Sequence, residues 1–343
     1  MIKVFENEYK KDEVLSSLNF IKFSDIIFSA SLSNEDLESL NLNNINIIET
    51  NNEFVTFVNL EFNLKENSVI YSHTDYIEGL FEVIKDIKFK NIKLITSQSD
   101  RKITKKLFAQ KPDCISQWYG VNVCYKNKDL IAIPLGLAPY RNTKSVIIED
   151  FTKYDFQHSK KEFLYLNFNK NTNYFHRAKA VNLSKRKLKI NLTESRDYVD
   201  YLNNLSFYRY ALAPWGNGID THRFWEALYS GTIPVTKKHS IYESFKNLPM
   251  VLLSSYNSID TLDKYLDFNS FDLSKLDINW WKNIIQENRI DSELKEKKVQ
   301  LSYVQINFIS QQINILRRRN EIRKKIITYL RRFDTKFNIF RRI

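Results

Sequence analysis

Cysteine, glycine and proline are scarce: the 343 residues include two cysteines, six glycines and six prolines. Cys114 and Cys124 form neither a metal-binding spacing nor a disulfide framework, which excludes the small disulfide-stapled and zinc-ribbon classes. No uncharged run suits a transmembrane helix, since the longest, Val299–Leu316, contains eight Gln, Asn or Ser residues. No signal peptide is recognisable at the start, so we expect a protein of the reducing cytoplasm.

Sequence motifs of several enzyme classes are also missing. The chain has no Walker P-loop, no HExxH and no GxSxG. No two aspartates are separated by one residue, so the DxD metal clamp of many sugar-nucleotide enzymes is absent. The histidines are dispersed, at His73, His158, His176, His222 and His239. We therefore predict no metal site and no cofactor.

Positive charge is concentrated at the C-terminal end. Residues 317–343 hold eleven Lys or Arg against Glu321 and Asp334, so they carry about +9 of the net +12. A basic tail on a nearly neutral fold argues against a nucleic-acid-binding globular surface.

Strand-like and helix-like runs alternate in the first 150 residues, which predicts a mostly parallel sheet covered on both faces. The predicted strands are Ile2–Phe5, Ile26–Ser29, Ile45–Glu49, Phe54–Val58, Val69–Ser72, Lys93–Thr96 and Leu130–Pro134, and the predicted helices are Asn34–Leu40, Tyr76–Ile87 and Ile103–Ala109. Arg141–Lys161 is typical of a linker. A second α/β region follows, with a strand at Phe163–Phe168, a polar turn from Asn169 and then a helix carrying Arg177.

Further elements are predicted in the rest of the chain. They are strands at Lys187–Leu192 and Met250–Leu253, and helices at Asp197–Leu205, near Ile241–Lys246 and near Ile259–Leu266. Everything from Asp272 onward is predicted to be helical. We divide the chain into domains at 1–150, 151–270 and 271–343, the last being a helical extension.

Two of the predicted strands end in polar residues, and parallel α/β sheets bind ligands beyond such strand ends. The segments are Ser72–Asp75 and Thr96–Asp100. Asp75 and Asp100 either cap the helices that follow or contact a substrate, and the sequence leaves both possibilities open.

Glycine is concentrated in Ala211–Lys238, which holds three of the six. A strand at Arg209–Ala213, a helix begun by Asp220 or Thr221, a left-handed cap at Gly231 and a strand from Ile233 predict a β-α-β unit.

A polar cluster lies at the start of this unit's helix: Asp220, His222, Arg223 and Glu226. A helix N-terminus attracts phosphate, and an arginine is a bidentate phosphate donor. Glu226 lies on the same helix face as Arg223 and can accept hydrogen bonds from a ribose diol. The alternative is an ordinary Arg223–Glu226 surface pair, but the glycines and the β-α-β context favour a nucleotide-diphosphate clamp.

GNGIDTHRFWEALYSGTIPV resembles the sugar-nucleotide segment of exostosin-like glycosyltransferases, where an Arg, a Glu-Ala pair and Gly-x-Ile-Pro-Val recur. The C-terminal domain of α1,3-fucosyltransferases is similar, with Glu–Ala-Leu–Gly-x-Ile-Pro. The match covers Pro214–Lys238, and Leu94–Asp100, Ile133–Leu137 and Phe163–Arg177 extend it thinly from about residue 69 to 240. The resemblance implies a GT-B architecture: two Rossmann-like domains that face each other across a cleft, usually without a metal.

The resemblance also implies roles for single residues. Arg223 would bind the donor diphosphate, Glu226 the ribose, and Arg177 a further phosphate oxygen. Other donor-binding residues would be Gly216, Asn217, Gly218, Thr221 and Asn169. The first domain would bind the acceptor, with Asp75 and Asp100 as candidate general bases. Asp220 and His222 are the alternatives, either as bases or as contacts of the donor sugar.

The last predicted helix has an apolar face with basic residues off it. The face consists of Ile322, Ile326, Leu330, Phe333, Phe337 and Phe340. This pattern suits an anionic membrane surface, while packing on the protein and a nucleic-acid arm are the alternatives.

These features together predict a cytoplasmic glycosyltransferase, peripheral on the inner face of the membrane. It would move a sugar from a nucleotide-sugar to a glycan or glycolipid acceptor, in cell-surface polysaccharide or lipopolysaccharide synthesis, with no nucleic-acid partner. The rival hypotheses are a non-catalytic glycan- or nucleotide-binding protein and a nucleic-acid-binding protein with a basic arm.

Overall fold

The computed structural model describes residues 10–140, 146–152, 160–193, 197–263, 266–287 and 295–337. The predicted strand Ile2–Phe5, most of the predicted linker Arg141–Lys161, the predicted face residue Phe340 and the side chains of Phe333 and Phe337 lie outside what the structure describes. The predicted boundary after residue 150 falls within a short helix, Ile148–Thr152.

Seven strands of the first half form one mostly parallel sheet, which confirms the predicted α/β class. In sheet order they are β2 (Ile45–Thr50), β3 (Val55–Asn59), β1 (Ile26–Leu32), β5 (Val69–His73), β6 (Ile92–Ser97), β7 (Ile115–Gly120) and β8 (Leu130–Ala132). The pairs β1–β5, β5–β6, β6–β7 and β7–β8 are parallel. The pairs β1–β3 and β2–β3 are antiparallel. Every residue of β3 and β5 is buried, as expected for strands covered on both faces.

Short helices accompany this sheet: α1 (Ser17–Lys22), α2 (Asn34–Ser39), α3 (Ile77–Ile84) and α4 (Lys105–Phe108). A fifth, α5 (Ile148–Thr152), contacts Tyr229 of the second half through Phe151. Side chains of Ser16, Ser33 and Thr104 cap α1, α2 and α4 at their N-termini. The sequence prediction missed α1, which is one and a half turns long, and β7, whose polar Ser116 and Gln117 obscure the strand pattern.

The second sheet has four parallel strands in chain order: β9 (Glu162–Tyr165), β10 (Tyr208–Leu212), β11 (Ile233–Lys237) and β12 (Val251–Leu253). Its helices are α6 (Tyr174–Leu188), α7 (Tyr198–Phe207) and α8 (His222–Tyr229). The predicted β-α-β unit is therefore confirmed as β10-α8-β11. Gly231 follows α8 with a φ of 64°, as predicted for a left-handed cap.

Three predictions in this half are wrong. No strand occupies Lys187–Leu192, because α6 continues to Leu188 and ends at Lys189 with a left-handed φ of 60°. The apolar residues that suggested a strand, Leu188, Ile190 and Leu192, pack against the core from this turn. The helices predicted near Ile241 and Ile259 are 3₁₀ turns, Ser240–Glu243 and Tyr256–Thr261.

The last part of the chain returns to the first half. It comprises α9 (Ile278–Gln286), β13 (Glu296–Gln300) and α10 (Tyr303–Phe337). The prediction of helix throughout is wrong at β13, which pairs antiparallel with β4 (Glu61–Lys65). Only Val299 of β13 is buried, so its charged sequence gives no strand signal.

The helix α10 has 35 residues and is therefore about 50 Å long. Its first half packs on α3, with the buried Ile309 against Gly79, and Ile313 is buried one turn further on. The contact is close, since a Cβ on Gly79 of α3 would lie 2.6 Å from Cγ1 of Ile309. In the part of the chain that the structure describes, no helix is both long and apolar enough to cross a membrane.

Candidate functional site

A cleft of about 740 Å³ lies between the ends of the two sheets, within the size range of small-molecule sites. Residues that follow β5, β6, β8, β9 and β10 line it, together with one side of α10. All twelve residues singled out in the sequence line this one cleft: Asp75, Asp100, Asn169, Arg177, Gly216, Asn217, Gly218, Asp220, Thr221, His222, Arg223 and Glu226.

The loop between β10 and α8 is held by side chains of the first half. Oδ1 of the buried Asn122 accepts the N–H groups of Ile219 at 2.7 Å and Asp220 at 3.0 Å. The amide of Asn122 donates to the carbonyl of Ser99, and Oδ1 of Asp100 accepts the N–H of Gly218 at 3.0 Å. The backbone donors of this loop therefore join the two halves of the protein.

Gly218 is required by this junction. A Cβ on Gly218 would lie 2.8 Å from Nδ2 of Asn122 and 3.0 Å from Oδ1 of Asp100. A Cβ on Gly216 would come no closer than 3.3 Å to any atom, the nearest being Nη2 of Arg177. The glycines predicted a backbone that lies close to a ligand. At Gly218 the backbone instead lies close to two side chains of the protein, those of Asn122 and Asp100.

Asp220 connects the loop after β8 to α8. Its carboxylate accepts from the N–H groups of Leu135 and Thr221, both at 2.9 Å, and from Nε1 of Trp225. The side chain is 3% exposed. Burial raises the pKa of Asp220 to about 7, although these hydrogen bonds favour the ionised form. With both oxygens engaged, Asp220 fixes the start of α8 in place.

Three other candidates retain a basic atom with no described partner. For Asp100 it is Oδ2, since only Oδ1 accepts a described hydrogen bond. Nδ1 of His222 lies 2.7 Å from the carbonyl oxygen of Gly136, which only accepts, so Nδ1 carries a proton and Nε2 of the neutral ring has the lone pair. Oδ1 of Asp75 accepts from the hydroxyl of Ser99 at 2.7 Å, and among the described residues Oδ2 has no hydrogen-bond partner.

The helix-capping alternative for Asp75 and Asp100 does not hold, since neither carboxylate accepts from a helix N-terminus in the described hydrogen bonds. At the end of β5 the cap is His73, whose Nδ1 accepts the N–H of Asp75. Burial lowers the pKa of His73, which keeps its ring neutral in that role.

Arg177 is a buried cation bonded to carbonyl oxygens. Its guanidinium donates to the carbonyls of Asn169 at 2.9 Å, Trp215 at 3.1 Å and Pro214 at 3.3 Å. Burial, together with the positive charge of Arg223, lowers the pKa of Arg177 to about 10. It remains protonated at neutral pH and holds the loop at Asn169 against the end of β10.

Arg223 lies against the side chain of Tyr201 in α7. Tyr201 is a residue of the site that sequence patterns did not identify. The guanidinium is 4.6 Å from the Tyr201 ring centre, and the Tyr201 hydroxyl donates to Oε2 of the buried Glu226 at 2.8 Å. Burial disfavours the charge of Arg223, but Tyr201 and Glu226 more than offset it, so the pKa of Arg223 lies above its ordinary value. The hydrogen bond from Arg223 to Oδ1 of Asn167 is long, at 3.5 Å.

The two walls of the cleft differ in charge. The wall from the second half presents Arg177 and Arg223 next to the start of α8, together with the buried carboxyls of Asp220 and Glu226. No salt bridge joins either arginine to a carboxylate of the described residues, although Glu226 favours the charge of Arg223. Thr221 occupies the predicted N-cap position of α8, yet its side chain makes no capping hydrogen bond. The wall from the first half presents four carboxylates, Glu49, Glu53, Asp75 and Asp100.

No group of three or more His, Cys, Asp or Glu that could hold a metal occurs among the described residues. No protein-family model matches the chain, and a comparison with curated proteins found no match. The resemblance to exostosin-like glycosyltransferases therefore stays a prediction that rests on the motif residues.

Proposed function

We propose that the protein is a glycosyltransferase of GT-B type, which moves a sugar from a nucleotide-sugar to a glycan acceptor across this cleft. The observation that carries the proposal is the pair Arg177 and Arg223, placed beside the uncapped start of α8 and facing an acidic wall. Two neighbouring guanidiniums that form no salt bridge among the described residues attract an anion of at least two charges, which a diphosphate supplies.

The donor would bind on the second half. Arg223 has N–H groups left for phosphate oxygens, because its hydrogen bond to Asn167 is long and Tyr201 meets it through the ring face. Oε2 of Glu226 accepts the hydrogen bond from the Tyr201 hydroxyl, and Oε1 would accept from a ribose diol. The N–H groups of residues 218–221 are already used within the protein. The phosphates would therefore meet the two arginines and the first turn of α8.

The acceptor would bind against the acidic wall, where carboxylates accept hydrogen bonds from sugar hydroxyls. In the transfer, an acceptor hydroxyl oxygen bonds to the anomeric carbon as the bond to the nucleotide phosphate breaks. The hydroxyl proton goes to Oδ2 of Asp75, to Oδ2 of Asp100 or to Nε2 of His222, none of which has a hydrogen-bond partner among the described residues. Arg177 and Arg223 stabilise the charge that develops on the leaving phosphate.

A thermal-shift screen with UDP, GDP, CMP and dTDP tests the donor site. We expect one of these nucleotides, at a hundred times its Kd, to stabilise the fold by about 2.7 kcal/mol and to raise the Tm by several degrees. The shift should disappear in Arg223→Ala and persist in Arg186→Ala, which removes an exposed arginine of α6. A Tm that none of the four changes would contradict the donor site.

A further inference from the structure

The second half of α10 carries an uncovered apolar stripe. Ile315, Ile322, Ile326 and Tyr329 are 44, 50, 54 and 67% exposed. At 100° per residue these four positions lie within roughly 60° of one another around the helix axis. The packed residues Ile309 and Ile313 lie on the other side of the helix, so the protein's own core does not cover the stripe.

Exposed cations flank the stripe on both sides. Arg318, Lys325 and Arg332 recur every seven residues along one edge, and Arg319 and Arg323 lie along the other. From Ile315 to Arg332 the helix holds eight Lys or Arg and one acid, Glu321. The surface formed by the four apolar residues and these five cations is called the outer face of α10 below.

The opposite side of α10 belongs to the cleft. Leu316, Arg317 and Asn320 line it. The helix is tied to both halves of the protein: Arg317 donates to the carbonyl of Ile48 in β2, and Arg331 donates to the carbonyl of Asn171 near the start of α6. These ties hold the outer face pointing away from the cleft.

We propose that the outer face of α10 docks on an anionic phospholipid bilayer, with the helix lying in the plane of the interface. Apolar side chains would enter the acyl boundary while the flanking arginines and lysines meet lipid phosphates. A second copy of the chain fits poorly, because pairing two such faces brings like charges together. A nucleic acid would use the cations and leave the apolar stripe unexplained.

Docking would place the bilayer about one helix diameter, roughly 10 Å, from the edge of the cleft that Leu316 and Asn320 line. A substrate held in the membrane would thus reach the cleft along α10. The proposal does not depend on the chemistry of the cleft, so docking and sugar transfer can fail separately.

Vesicle flotation with the full chain tests the outer face. We expect binding to vesicles of equal parts phosphatidylglycerol and phosphatidylcholine, and at least tenfold weaker binding to phosphatidylcholine alone. Ile326→Glu should weaken binding to the anionic vesicles by about tenfold, because a carboxylate enters the acyl boundary. Val199→Glu is the matched control, since Val199 is 58% exposed on α7 and should have no effect.

Charge reversal gives the second comparison. Arg318→Glu, Lys325→Glu and Arg332→Glu together should abolish flotation. The same change in net charge at Lys105, Lys106 and Lys128, which are exposed elsewhere on the first half, should leave flotation within about twofold of wild type. Circular dichroism of each variant checks that the helix content of the protein is unchanged.

Three results would overturn the proposal. The first is wild-type protein that stays unbound with the anionic vesicles. The second is a wild-type dimer in light scattering that Ile326→Glu converts to monomer, which would assign the stripe to a second copy. The third is a vesicle-independent affinity for a DNA or RNA oligonucleotide that the triple reversal removes and Ile326→Glu leaves intact, which would assign the cations to nucleic acid.

Discussion

Replacing Arg223 by alanine is expected to lower kcat/KM for nucleotide-sugar turnover by about a hundred- to a thousandfold. The guanidinium would stabilise the charge that develops on the leaving phosphate, and losing one such donor costs about 3–4 kcal/mol in the transition state. The fold should survive, because Arg223 makes one long hydrogen bond to Asn167 and one ring contact to Tyr201. We expect the free energy of unfolding to fall by about 1–3 kcal/mol, because Tyr201 loses a cation over its ring and the buried Glu226 loses a neighbouring positive charge.

Two companion variants sharpen this measurement. Arg223→Lys keeps the charge but not the bidentate geometry, so its activity should lie between wild type and Arg223→Ala. Arg186→Ala removes an exposed arginine of the same half and should leave turnover unchanged. A folded Arg223→Ala protein with near wild-type turnover would remove Arg223 from the proposed mechanism.

Gly218→Ala is expected to lower the free energy of unfolding by about 2–3 kcal/mol. The new Cβ would lie within 3.0 Å of the side chains of Asn122 and Asp100. Asn122 is buried and already bonded at both ends of its amide, so it can move only by giving up hydrogen bonds to Ile219, Asp220 or Ser99. Urea unfolding monitored by fluorescence measures the effect.

Gly216→Ala is the control from the same loop. Its Cβ would meet Nη2 of Arg177 at 3.3 Å and two methyl groups at 3.7 Å, which small shifts accommodate. We expect a loss of under about 1 kcal/mol. If Gly218→Ala and Gly216→Ala lowered the free energy of unfolding equally, the contacts of Gly218 with Asn122 and Asp100 would not be what joins the two halves of the protein.

The sequence was most informative where local chemistry decides the structure. The β-branched runs of β1, β5, β6 and β11 predict buried parallel strands, because such strands are apolar throughout. The β10-α8-β11 unit follows from its apolar spacing and Gly231. Sequence patterns failed for β13, a charged strand formed through its partner β4, and for Lys187–Leu192, whose apolar residues pack from a turn.

The residues that line the cleft could also be predicted from the sequence, because polar residues after parallel strands gather at one end of a sheet. The hydrogen bonds between residues inside the cleft could not be predicted. Asn122 and Tyr201 lie 97 and 25 residues from the groups they bind, and neither stands in a recognisable motif. Long-range partners of this kind decide that Asp220 has both carboxylate oxygens engaged, while Asp75, Asp100 and His222 each keep one basic atom with no described partner.

The most direct test of the central claim is nucleotide release from a panel of nucleotide-sugars, measured with purified protein and pooled oligosaccharide acceptors. A glycosyltransferase predicts that at least one donor releases its nucleotide, that an acceptor accelerates the release, and that Arg223→Ala abolishes it. Binding of a nucleotide with no release from any donor would contradict the claim and make the cleft a binding site without catalysis.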